Sequence, residues 1–431
     1  MVREGAISRS LRAIPTAARP VLLGNAAAAL GNGLTMPLLV VYLGQVRGLG
    51  TTTAGLLVAG YAVVALVCAA PIGSLVDRLG PRPVLMTGLG IKAIGVVVLS
   101  QAASLPLAII AVTVMAIGDA SSWAPQSALL GRITPPADRQ RVFGMQFMLL
   151  NLGLGIGGLI SAVIANVERP QTFTTLYCID AATFLVYIGC LASMRREDVG
   201  PVDQTTSTQE RGSYRLVFGD RALRRLALGA TLLLTAGYGS LEVGLATYLT
   251  VLGDLSVGNL AVVYAVNTGV VVLAQLFIID RIQGRSRTRL AALVGLLWGG
   301  SWIIIGASID LPLVGSVVLA CIGAGVFALG ETVWSPVGPA IVNDLAPEHM
   351  RGRYNAVASW TWGLAGSVGP AVAGIMLGAG LASWWIVLVV LACVGASGIL
   401  LRLRGLLTPE QDGLSVDRLP AKQVAPGVAG G

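Results

Sequence analysis

The sequence predicts an all-α membrane protein with twelve transmembrane helices in two pseudo-symmetric six-helix bundles. Three observations carry that prediction. Of 431 residues, 55 % are hydrophobic and only 12 % charged, against about a quarter charged in a soluble domain. Apolar runs of roughly 20 residues recur from end to end, the length that crosses a hydrocarbon core of ~30 Å. The second half of the chain also repeats the first at a fixed offset.

Hydropathy places spans 1 to 12 near residues 18–44, 54–76, 83–101, 105–130, 140–166, 172–194, 224–250, 257–279, 289–309, 311–342, 353–379 and 381–401. Lipid offers no water to backbone polar groups, so each run is expected to be helical. Of the 29 Lys and Arg residues, 26 fall at the amino terminus, in the 2–3, 4–5, 6–7, 8–9 and 10–11 loops, and in the tail. Arg47 and Arg169 fall on the other side, and Lys92 lies inside span 3. The positive-inside rule then sets both termini in the cytoplasm. Residues 1–19 carry four arginines, but the apolar run behind them continues to Val46. That is longer than the apolar core of a signal peptide, so span 1 is read as retained.

The segment 195–223 mixes both charge signs with Pro, Gly, Ser and Thr, as linkers do. It divides the chain into an amino-terminal bundle (1–194) and a carboxy-terminal bundle (224–404). The remainder, 405–431, is expected to be a disordered cytoplasmic tail. Arginine outnumbers lysine 27 to 2, which suits a GC-rich bacterial source and a multi-pass protein of the bacterial inner membrane.

Several chemistries are disfavoured. The net charge of +8 resides in short loops, as membrane topology demands, and is not read as a nucleic-acid footprint. Cys68, Cys178, Cys190, Cys321 and Cys393 are isolated in apolar runs, and His349 is the one histidine. Neither a metal site nor a cofactor is therefore expected. The only lysines, Lys92 and Lys422, do not complete a phosphate-binding loop. An intramembrane enzyme would need more than a single loop histidine, and a sensor would need an added soluble domain.

A shift of 212 residues lays GDASSWAPQSALLGRITPPADRQRVFG (118–144) over GETVWSPVGPAIVNDLAPEHMRGRYNA (330–356) without a gap. Asp119 then meets Glu331, Arg139 meets Arg351, and Arg141 meets Arg353. Asp280-Arg281 in FIIDRIQGRSRTRL likewise echoes Asp77-Arg78 in GSLVDRLGPRPVL. Duplicated six-span halves are a signature of secondary transporters, whose substrate site lies near midplane between the repeats.

GSLVDRLGPRPVL resembles the loop 2–3 motif of the major facilitator superfamily, roughly G-x-L-a-D-r-x-G-r-[rk]-x-x-l. Gly73, Leu75, Asp77, Arg78, Gly80, Arg82 and Leu85 match, while Pro81 replaces a common basic residue. With the span count and the repeat, the resemblance covers nearly the whole chain. It implies that Asp77 meets the positive amino end of span 11, and that Gly73, Gly80, Arg78, Arg82, Asp280 and Arg281 belong to a conformational switch. Span 5 also resembles the glycine motif of drug antiporters through Gly144, Gly153 and Gly157, and span 11 keeps Gly369-Pro370. Gly153, Gly157, Gly369 and Pro370 are expected to let these spans bend and pack at the interface between halves. The arginine-centred span 4 motif of the family is absent, and Asp119 supplies the charge there. GETVWSP resembles span 10 of a subgroup of proton-coupled multidrug exporters.

Ionisable residues inside a membrane are costly and mark functional sites. Asp119 and Glu331 each precede the polar loop end by 13 residues, a depth of roughly 20 Å at helical rise. Desolvation favours the neutral form of a carboxyl group, the property that a proton carrier needs. Asp119, Glu331 and Glu242 are the proton-coupling candidates. Asn25, Asn32, Trp123, Trp334 and Trp360 are the substrate-binding candidates, the indoles offering faces to lipophilic cations. Asp180 is expected to make a structural hydrogen bond, and Lys92 to snorkel toward the cytoplasm. The expected function is proton-coupled export of amphipathic or cationic drugs by alternating access. Transport of a small metabolite, by proton coupling or facilitation, is the alternative. The expected partners are a small-molecule substrate, protons and membrane lipids, with no nucleic acid and no second copy of the chain.

Overall fold

A computed structural model describes residues 14–195 and 213–414. Helices dominate it. In the amino-terminal half they are α1 (Thr16–Val46), α2 (Thr51–Leu79), α3 (Pro81–Ser100), α4 (Leu105–Ile133), α5 (Arg139–Ile164) and α6 (Pro170–Ala192). In the other half α7 begins at Arg221, followed by α8 (Val257–Ile282), α9 (Arg287–Gly306), α10 (Leu313–Leu345), α11 (Arg351–Gly378) and α12 (Ala382–Leu403). Eleven helices of the described residues are long and apolar enough to cross a membrane. The twelfth crossing is α7. It runs as α-helix over Arg221–Leu234, then continues through π-helical turns at Thr235–Gly239, Leu241–Leu245 and Tyr248–Leu252.

Local chemistry explains the boundaries. One residue, Gly80, both ends α2 and starts α3, at φ +88°. Glycine adopts that angle freely, and Pro81 has no backbone N–H to leave unpaired at the first helical position. Asp220 caps α7 by accepting from the amides of Ala222 (2.8 Å) and Leu223 (3.2 Å).

Buried apolar side chains gather in two large clusters. One holds Tyr42, Phe173, Tyr177, Phe184 and Tyr187 of the amino-terminal half. The other holds Trp298, Trp302, Phe327 and Trp385. Small residues draw the helices together inside each half. A Cβ on Gly118 would lie 2.5 Å from the Lys92 amide nitrogen, and one on Gly88 would lie 2.4 Å from Ser121 Cβ, so α3 and α4 touch almost backbone to backbone.

The glycine pairs of spans 5 and 11 are placed differently from the expectation. Gly153 and Gly157 abut α1, where added Cβ atoms would meet Ala29 Cβ at 2.7 Å and overlap the Leu30 carbonyl. Gly369 abuts Gly239 of α7. These contacts are within halves, because each glycine faces the first helix of its own bundle. Pro370 lies inside α11, one residue beyond that close approach.

The expected linker falls partly outside the described residues, at 196–212. From Ser213 onward it is ordered: Tyr214–Gly219 forms a short helix, and the Tyr214 hydroxyl donates to the Ala70 carbonyl at 2.6 Å. The tail is likewise ordered through Leu414, contrary to the expectation of disorder from 405. Asp412 is 2 % exposed and bonded to the start of α9, which holds the segment down. Residues 415–431 lie outside the described residues.

Candidate functional site

Between the halves lies a cavity of about 310 Å³, walled by Trp123, Phe147 and Leu150 on one side and Glu331, Trp334 and Trp362 on the other. Glu331 is 4 % exposed. Asn267 Nδ2 of α8 donates to its Oε2 at 2.8 Å. Tyr238, at the π-helical turn of α7, shares the same wall. Its ring stands edge-on to Trp298 (5.3 Å) and Phe327 (5.8 Å) and tilts against Trp362 (4.8 Å). Gly330 makes room for this arrangement, since a Cβ there would overlap Trp298. The result is a single carboxyl group held by the Asn267 amide and the Tyr238 hydroxyl among aromatic rings.

A second cavity, about 390 Å³, opens into the amino-terminal half and shares Trp123, Leu150 and Leu154 with the first. Asn25, Asn32, Tyr61, Lys92 and Asp119 face it. Lys92 does not snorkel. Its ammonium pairs with Asp119 at 2.5 Å and lies 5.1 Å from the Phe184 ring centroid. The close approach of α3 to α4 at Gly118 brings the two charges together, which removes the need to reach water. The lysine side chain is 4 % exposed and the aspartate 41 %, so the cavity meets the carboxylate first. Deeper, Tyr187 donates to Gln126 (2.7 Å), Gln126 to Asn25 (2.9 Å) and Asn25 to the Gln146 carbonyl (3.4 Å). Asp180 accepts from Thr35 at 2.7 Å in the interior of the bundle.

Polar links between the halves gather at the arginine-rich end. Asp77 of α2 accepts from the amides of Gly352 (2.6 Å) and Arg353 (3.3 Å) and from Arg353 Nη1 (2.7 Å), at the start of α11. Gly73 permits this docking, since a Cβ there would lie 2.6 Å from Ala356 Cβ. The repeat supplies a counterpart: Arg141 of α5 reaches Asp280 of α8 at 3.2 Å. Asp344 of α10 pairs with Arg139 of α5 and with Arg287 of α9. Asn343 donates to Ser127 at 3.2 Å. Away from the interface, Arg82 reaches the Ala192 carbonyl (3.2 Å), Arg281 bonds back to Phe277 (3.0 Å), and Arg78 is exposed at the end of α2.

Of the residues singled out in the sequence, Trp123 and Trp334 line the central cavity, and Asn25 and Asn32 line its neighbour. Trp360 lies elsewhere. Its indole donates to the Leu66 carbonyl at 3.0 Å and stacks on Tyr214 (5.9 Å) and Phe218 (6.0 Å), so it joins α11 to α2. The side chain of Glu242 lies outside the described residues. Tyr238, Asn267 and Trp362 were not singled out. Asn267 had a signal, as a lone amide in the apolar run YAVNTGVVV. Among the described residues, no group of three or more His, Cys, Asp or Glu is placed to hold a metal ion.

A family model described as the Major Facilitator Superfamily matches residues 21–335. The chain belongs to the major facilitator superfamily. It is similar to the multidrug resistance protein MdtH of Aeromonas hydrophila, 26 % identical over 76 % of this chain and 80 % of the relative. A shorter match, 28 % identical over 39 % of this chain and 43 % of the relative, is the class C tetracycline resistance protein of Escherichia coli. Among solved structures, a bacterial homologue of the iron transporter ferroportin in its outward-facing state superposes with a TM-score of 0.75. It is 13 % identical, with 91 % of this chain and all of that one covered. Membership makes the chain a multi-pass membrane transporter, and the structural likeness extends to the fold alone.

Proposed function

We propose that this transporter exports amphipathic cations in exchange for protons, with both termini in the cytoplasm. The observation that carries the reading is Glu331, a buried carboxyl group on the wall of an aromatic cavity between the halves. Aromatic faces suit a lipophilic cation, and a single acid in a dry wall accommodates either that cation or a proton. The name of the A. hydrophila relative supports the drug class. With the arginine-rich end on the cytoplasmic side, the links through Asp77, Arg141 and Asp344 close the cytoplasmic gate, which corresponds to an outward-open state.

In the cycle, Glu331 takes a proton while the cavity faces outward. The halves rock, the proton leaves to the cytoplasm, and a cationic substrate takes its place. Return to the outward-open state carries the substrate across. Asp119, held by Lys92, is a second acid through which a proton can be carried.

The test uses everted vesicles, a fluorescent lipophilic cation and an imposed pH gradient. Wild type accumulates the cation, and a protonophore abolishes accumulation. Glu331→Gln binds the cation but loses gradient-driven uptake. Normal uptake by both Glu331→Gln and Asp119→Asn would refute the coupling assignment. The second cavity, with Asn25, Asn32 and Tyr61 on its walls, favours one alternative, transport of a small polar metabolite. Saturable binding of a sugar or organic acid, with no response to lipophilic cations, would decide for that reading.

A further inference from the structure

We propose that residues 408–414 form a latch that positions Arg287 at the gate, and that docking of this segment favours closure of the arginine-rich end. The inference rests on rocking of the two halves and not on what is carried between them.

The segment is built into the start of α9. Asp412 accepts from Ser286 Oγ (2.6 Å) and from the Thr288 amide (2.8 Å), while its own carbonyl accepts from the Arg287 amide (2.8 Å). A carboxylate at this position satisfies amides that a helix start leaves unpaired and complements the helix dipole. Gly413, at φ +78°, tucks beneath the Arg287 side chain, where a Cβ would lie 2.9 Å from Nε. The Gln411 carbonyl accepts from Arg287 Nη1 at 3.1 Å, and Gln411 Nε2 donates to the Asp344 carbonyl at 3.3 Å. Arg287 is thereby enclosed on three sides and is 2 % exposed.

From that enclosure its guanidinium reaches the gate. It pairs with Asp344, which also grips Arg139 of the other half. Its Nη2 donates to the Pro136 carbonyl, also of the other half, at 3.3 Å. A bound segment shifts an equilibrium only through contacts that differ between the two states. The tail's own bonds are to α9 and α10, which stay together when the halves part. The contacts that change are those of Arg287 with Pro136 and of Arg139 with the shared Asp344. The latch therefore acts through Arg287, by fixing the one orientation that crosses the gate.

Spin labels at Ala137 and Arg289, in an otherwise cysteine-free full-length chain, read the separation at this end. Asp412→Asn keeps the side-chain volume and removes the charge, and truncation after Leu407 removes the segment. Both are expected to raise the ratio of long to short distances on the order of tenfold, equivalent to ~1.4 kcal/mol. Arg404→Ala, whose residue approaches Asp412 only at 3.8 Å, is expected to leave the ratio unchanged. A merely structural tail would lower the melting temperature and leave the distance ratio as in wild type, and that outcome overturns the proposal. Should truncation prevent folding, the isosteric Asp412→Asn decides alone.

Discussion

Removing either partner of the Lys92–Asp119 pair should have very unequal effects, because the two side chains are unequally buried. Asp119→Ala leaves an ammonium that is 4 % exposed and has lost its 2.5 Å partner. Stranding one charge of a buried pair costs about 3–5 kcal/mol, and the Asp180 carboxylate, within electrostatic reach of Lys92, offsets part of that, leaving roughly 2–3 kcal/mol. Lys92→Met instead leaves a carboxylate that is 41 % exposed to its cavity, where water screens it, so the cost is about 1 kcal/mol or less. The double variant Lys92→Met/Asp119→Ala should resemble Lys92→Met, giving a coupling energy equal to the cost of Asp119→Ala alone, roughly 2–3 kcal/mol. Thermal inactivation in detergent, followed by a thiol-reactive dye that reports exposure of the fully buried Cys393, reads these differences as rates. At a factor of ten per 1.36 kcal/mol, Asp119→Ala should unfold on the order of a hundredfold faster than wild type. Equal losses for the two single variants would refute the reasoning.

Asp77→Asn should open the arginine-rich end, because it strands Arg353 and weakens the bonds to the α11 amides, whereas Asp280→Asn should do so far less. Disulfide cross-linking between introduced cysteines across that end measures both, with yield falling several-fold or more for Asp77→Asn alone. Gly157→Val should cost about 1–3 kcal/mol through overpacking, since a Cβ there overlaps the Leu30 carbonyl. Gly366→Ala, with open space around it, should be tolerated in the same inactivation assay. Trp334→Ala should weaken equilibrium binding of an aromatic lipophilic cation by about tenfold. Trp360→Ala should leave that binding intact and reduce cross-linking at the gate.

Much of this architecture is legible because membrane helices advertise themselves. Lipid forces every crossing into a long apolar run, and arginine distribution orders the runs. The 212-residue repeat places Asp119 and Glu331 at matching depths, and both face cavities. What pattern cannot supply is the partner. Lys92 reads as a snorkelling residue until the glycine contact of α3 with α4 sets it against Asp119. The tail reads as disordered because it is a terminal segment running into APGVAGG, yet Asp412 finds a helix start 124 residues back. The two tryptophans of WTWGLAG look equivalent in sequence, but helical rotation sends Trp362 to the cavity and Trp360 to α2.

The repeat also exposes a physical asymmetry in the gate. Asp77–Arg353 and Asp280–Arg141 occupy corresponding positions, yet their side chains are 4 % and 8 % exposed in the first pair and 46 % and 17 % in the second. Exposed pairs contribute about 0–1 kcal/mol, whereas separating a buried pair strands charge in a dry interface. Asp344 adds a second buried tie, with Arg139 and Arg287 both converging on it. Two buried ties, along α2–α11 and α5–α10, therefore carry most of the electrostatic resistance to opening, while the Arg141–Asp280 pair adds little. Parting becomes favourable only if water enters as the buried ties lengthen, hydrating Asp77, Arg353 and Asp344 together. The two sequence-related halves are thus held by unequal ties: Asp77–Arg353 and Asp280–Arg141 are related by the repeat, whereas Asp344 stands where the first half has Arg132.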